Sequence, residues 1–122
     1  MQLKNDMLGR QMLDEIVFRY YKSHGNRHVA RFLYSEDEEL GWWYSHYLVD
    51  RKHVIRYGIG SDRSGWVGGV QLAIGPHYFG PAEFWSSENF WRFGNQATAD
   101  VVESNLRLLD EFFKTPDSAR HN

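Results

Sequence analysis

Residues 41–76, GWWYSHYLVDRKHVIRYGIGSDRSGWVGGVQLAIGP, decide the fold. β-branched and aromatic residues arrive there in runs separated by polar or glycine-containing turns, the composition of a pleated, half-buried ribbon rather than a helix. Three consecutive antiparallel strands are predicted, over 42–49, 53–59 and 66–74. Asp50, Arg51 and Lys52 make a tight first connection, and GSDRSG at 60–65 has the Gly, Ser and Asp density of a second hairpin loop. In the middle strand His53, Ile55, Tyr57 and Ile59 form the apolar face, while Val54, Arg56, Gly58 and Gly60 leave the other face thin. In the third, Val70, Leu72 and Ile74 point inward, and Gly68 with Gly69 marks a bulge or a close backbone approach. The first strand is aromatic on both sides, with Trp42, Tyr44, His46 and Leu48 on one and Trp43, Ser45, Tyr47 and Val49 on the other.

Working outward, VARFLY at 29–34 alternates enough to be an additional, earlier strand, with Ala30, Phe32 and Tyr34 on one face and Val29, Arg31 and Leu33 on the other. It runs into Ser35, Glu36, Asp37, Glu38 and Glu39. Four consecutive carboxylates repel one another and resist burial, so the run reads as an exposed hairpin loop. A sharper reading makes it an acidic finger for a basic partner. From about residue 5 to 24 the pattern is helical, with Leu13, Ile16, Val17 and Tyr20 on one stripe. Asn5 or Asp6 caps its start, the HGN at 24–26 stops it, and Gly9 on the same stripe permits close approach of a neighbour.

Beyond Pro76, residues 77–93 carry Phe and Trp between turn residues and predict a short edge strand followed by an aromatic-rich loop; Pro81 argues against a central strand. Within that loop Trp85 reads as a core plug, and Trp91 with Arg92 as an exposed pair. A second helix is predicted from Gly94 and Asn95 to about Lys114, with Val101, Val102, Asn105, Leu106, Leu108, Leu109, Phe112 and Phe113 on its broad apolar face and Asp110 on the polar one. Residues 115–122 read as a flexible tail. The expectation is one α+β domain over 1–122, an antiparallel sheet of four or five strands with an N-terminal and a C-terminal helix on one face. The other face is then open, with Arg31, Arg56 and Gln71 on it, joined by Trp43, Ser45 and Tyr47 if the parity of 42–49 follows.

The 122 residues suffice to bury a core without staples, and 16% aromatics, with five Trp, is high. A formal net charge of −2 disfavours direct nucleic-acid binding. Zero Cys removes disulfides and thiolate chemistry. The first residues carry scattered charges and read neither as a signal peptide nor as a membrane span, so a cytoplasmic protein with no membrane association is expected.

Catalytic and metal signatures are sparse. The six His form neither HxH nor HExxH, so no metal and no cofactor is expected. His46 and His53 flank one hairpin and are the one constellation that could face each other across it. GxSxG is absent, and GIGSDRSG lacks P-loop spacing and precedes a strand rather than a helix. Carboxylate pairs such as Glu83 with Glu88 mean nothing without a pocket.

The HVIRYGIGSDRSGWVGGVQLAIGP ladder, the SSENFWRF segment and the closing NLRLLDEFF resemble, as a layout over 29–113, the small bacterial immunity proteins that neutralise polymorphic or contact-dependent toxins. That resemblance implies a small cytoplasmic, non-enzymatic binder that covers the active site or an adjacent surface of a toxin domain. The partner-binding candidates are Glu36, Asp37, Glu38 and Glu39 for steering a basic toxin, with Trp43, Tyr47, Arg56, Trp91 and Arg92 as anchors. Two further readings stand beside it. A secretion chaperone or adaptor would form a homodimer through a helix, whereas the inhibitor could be a monomer; an enzyme or small-ligand protein would place His46 and His53 in a cavity between sheet and helices.

Overall fold

The computed structural model describes residues 2–4, 6–85 and 88–116. Helix α1 (Met7–Ser23) is followed by strands β1 (Val29–Asp37), β2 (Trp42–Val49), β3 (His53–Asp62), β4 (Gly65–Ile74) and β5 (His77–Phe79). A single turn of helix, α2 (Pro81–Phe84), a 3-10 turn at Phe90–Arg92 and helix α3 (Ala99–Lys114) complete the chain. The five strands form one antiparallel meander in the order β1-β2-β3-β4-β5, with α1 and α3 on one face, so the α+β layout expected from the sequence is the observed one. The expected residues 117–122 of the tail lie outside the described set. No helix among the described residues is long and apolar enough to cross a membrane.

Asp6 caps α1, its side chain accepting from Gly9 N at 2.7 Å. Gly9 is needed because a Cβ there would strike the carbonyl of Lys4. The neighbour that the bare position admits is thus the chain's own amino-terminal segment. That segment continues into the sheet's far edge: Leu3 N donates to Ala97 O, and Asn95 O and Ala97 N in turn bond Gly68 and Trp66 of β4. Residues 95–97 are therefore extended, and α3 begins at Ala99 behind the N-cap Thr98 rather than at Gly94 as the sequence pattern suggested.

The core lies between the helices and the face of the sheet built from Trp43, Tyr47, Val49, Ile55, Tyr57, Ile59, Val70 and Leu72. Ile74, expected inward, is half exposed at the strand end. The parity expected for β2 is reversed. Trp43, Ser45 and Tyr47 are fully buried on the covered face, because the Asp50–Lys52 turn pairs Val49 with His53 and so puts both strands' odd-numbered residues on one side. In β1 the register slips between Arg31 and Leu33, a bulge that interrupts simple alternation. Tyr34 consequently joins the covered side, its ring 6.0 Å from that of Trp43 and tilted 35° to it. Arg31 is also on the covered side, bound to Asp14 of α1 at 2.8 Å, and not on the open face. The acidic run is a second departure: Ser35, Glu36 and Asp37 continue β1 opposite Tyr44, Trp43 and Trp42, so only 38–41 form the loop. Main-chain pairing asks nothing of the carboxylates, which project from an edge strand into water.

Between α1 and α3 one polar network is buried. Asp110, placed by periodicity on the wet side of α3, is 5% exposed. It accepts from Tyr20 Oη and from both terminal nitrogens of Arg27, and Arg27 also binds Asp50. Burial, followed by the Asp110 hydrogen bond, raises the Tyr20 phenol well above its usual range, and the Arg27 hydrogen bonds hold the Asp50 carboxyl below its own.

Candidate functional site

With both long helices on one side, the even-numbered residues of β2 and β3 face outward. On β3 these include Gly58 and Gly60, and the rings of Tyr44 and Trp42 occupy the space that side chains there would need. A Cβ on Gly60 would run into the Trp42 indole, and one on Gly58 would lie 2.6 Å from the Tyr44 ring. The glycines that thin this face of β3 are thus the floor on which two aromatic rings lie, stacked 26° from parallel.

Beside the rings a cleft of about 330 Å³ is lined by Leu40, Trp42, Tyr44, Gly69, Gln71 and Pro81. A second, of about 260 Å³, shares Gly68, Gly69, Val70 and Pro81 with it and extends to Phe90, Phe93 and Asn105. Together they make one apolar trough across β4, where its partner changes from β5 to residues 95–97. Asn105 closes the inner wall: its amide binds Gly94 through both N and O and donates to Tyr57 Oη.

Next to the trough stands a polar cluster. His46 joins Ser35 Oγ through Nε2 and Tyr78 Oη through Nδ1, each at 2.8 Å. Burial, and then the charge of Arg56, hold its pKa below the usual imidazole value. Arg56 lies between the rings of Tyr44 and Tyr78. His53 is on the opposite face, stacked on Phe113 of α3 with centroids 3.8 Å apart. The two histidines that flank the hairpin do not face each other across it but are separated by the sheet, since Val49 pairs with His53 and His46 with Arg56.

Of the partner-binding candidates, Arg56 is on the open face, whereas Trp43 and Tyr47 are core residues and unavailable to a partner. Tyr47 Oη donates to Asp14 at 2.6 Å. Glu38 and Glu39 are exposed in the β1–β2 turn next to Leu40, a residue of the trough. Glu36 accepts from Tyr34 Oη and Asp37 from Leu40 N, so both also serve local structure. Trp91 is 76% exposed and stacked on Phe90, which lines the trough. Arg92 is held by Glu111 at 2.8 Å, and Trp85 is the plug expected of it, packed edge-on against Phe93 and Phe112.

Sequence reasoning missed Leu40, Trp42, Tyr44 and Tyr78. Trp42 and Tyr44 follow once β2 is aligned on β3 through its three-residue turn; Leu40, in the β1–β2 turn, and Tyr78 have no such local signal. Among the described residues no group of three or more His, Cys, Asp or Glu is arranged to hold a metal ion. Comparison with known proteins finds no matching family model, no matching curated protein and no matching solved structure.

Proposed function

We propose that the protein is a non-enzymatic inhibitor of the immunity-protein kind, which docks a partner protein, a toxin domain with a basic rim, on the open face of its sheet. The observation that carries this reading is the trough of Trp42, Tyr44, Leu40 and Phe90 on a glycine floor, with Glu38 and Glu39 at one end. Aromatic rings held in place offer large contact area at small entropic cost and are typical anchors of protein interfaces. Acidic residues beside them steer a basic surface and exclude an acidic one. Such an inhibitor works in the cytoplasm by covering the partner and needs no cofactor.

The test is co-purification with a basic toxin domain encoded beside the protein, followed by substitution. Trp42→Ala and Tyr44→Ala should each weaken binding at least tenfold, about 1.4 kcal/mol, while His53→Ala, on the covered face, leaves it within about twofold. Binding unaffected by either aromatic substitution overturns the assignment of the face. A second reading, a chaperone or adaptor acting as a homodimer, is favoured by Met7 and Leu8, exposed side by side at the start of α1. Gel filtration of wild type against Leu8→Glu separates the two.

A further inference from the structure

Arg56 occupies the middle of the open face, paired with His46 on β2 and Gln71 on β4. Its guanidinium is 4.3 Å from the ring centroids of both Tyr44 and Tyr78, and Nε donates to Gln71 Oε1. Two rings and one hydrogen bond hold the planar group in a single orientation. Among the described residues its two terminal nitrogens make no hydrogen bond and no carboxylate pairs with it; the ion pairs above use Arg27, Arg31 and Arg92. The contrast with Arg27 is direct, since that half-buried arginine has two carboxylates. A partly buried charge without a counter-charge is costly to a fold.

Resting on the docking reading above, we infer that Arg56 is the receptor for a carboxylate that the bound protein brings to the open face. The guanidinium fork matches a carboxylate through two parallel N–H···O bonds. One positive charge suits a singly charged anion: no other Lys or Arg stands at an outward position of β2, β3 or β4. His46 adds none at neutral pH, because burial and Arg56 itself keep it unprotonated. The same coupling supplies the readout, since an anion on Arg56 offsets the charge that depresses His46.

The experiment follows the His46 ring by NMR through a pH titration of the full chain in sodium acetate, sodium phosphate and sodium chloride at matched ionic strength. Acetate should move the His46 titration upward relative to chloride. Arg56→Gln should move it upward without any anion and abolish the acetate response. Arg56→Lys, which keeps the charge and loses the fork, should respond less than wild type and serves if the Gln variant does not fold. The inference is overturned if acetate and chloride give the same titration, if acetate acts equally on the Gln or the Lys variant, or if phosphate acts and acetate does not. No partner is present in this titration, so its failure removes the receptor alone. Failure of co-purification removes the docking reading and leaves the titration result intact.

Discussion

At the scale of single residues, adjacent glycines in β4 have opposite roles. A Cβ on Gly68 would come within 2.7 Å of the Gly58 carbonyl, a backbone atom that cannot move without disturbing the β3–β4 ladder, whereas one on Gly69 meets no atom of the described residues within 4 Å. Gly68→Ala should therefore cost about 1–3 kcal/mol in urea unfolding, and Gly69→Ala should stay within about 0.5 kcal/mol of wild type. Asp110→Asn leaves the buried side of Arg27 short of its counter-charge and should cost about 3 kcal/mol, more than Asp50→Asn at the wetter end of the same network. His46 sets a pH dependence whose sign is determined by its depressed pKa. The unfolded chain takes up the proton near the ordinary value of about 6.5, while the folded chain resists it. Stability from this residue is thus complete above that pH and is lost as pH falls from there through the folded-state value. Melting temperature should drop less between pH 7 and 5 in His46→Gln than in wild type.

Among the elements, the β1–β2 hairpin separates steering from structure. Glu38→Lys with Glu39→Lys should slow association with a basic partner and change stability by no more than about 0.5 kcal/mol, as stopped-flow mixing at low and high salt would measure. Asp37→Ala should destabilise, because it leaves Leu40 N without its acceptor. The hairpins also mark how far the sequence could be read. β3 was legible because its apolar residues alternate against glycine and arginine; β2 was not, because aromatics occupy both of its faces and intrinsic preference is silent there. Turn length carried the missing information, since Asp50–Lys52 forces Val49 opposite His53 and with it the face of Trp43 and Tyr47. The bulge at Arg31 and Leu33 is different in kind. Nothing local in VARFLY announces it; on either side of the slip Arg31 binds Asp14 of α1 and Ser35 meets His46, contacts that lie far away in sequence. Asp110 was misplaced for a related reason: helical periodicity assigns a carboxylate to water, and only the distant Arg27 and Tyr20 explain its burial.

For the molecule as a whole, the division of the sheet into a covered and an open side was legible, and the content of the open side depended on register. Its trough exists because β4 trades neighbours halfway along, from β5 to an extended piece of chain just before α3. The pairing of Leu3 with Ala97 has a kinetic consequence. The hairpins close short loops and can assemble early, but this lock joins the amino-terminal segment to the piece of chain just before α3 and must wait until the strands between them are ordered. Leu3→Ala, at a fully buried position, should accordingly quicken unfolding and leave the refolding rate nearly untouched, the signature of a latch that closes after the rate-limiting step.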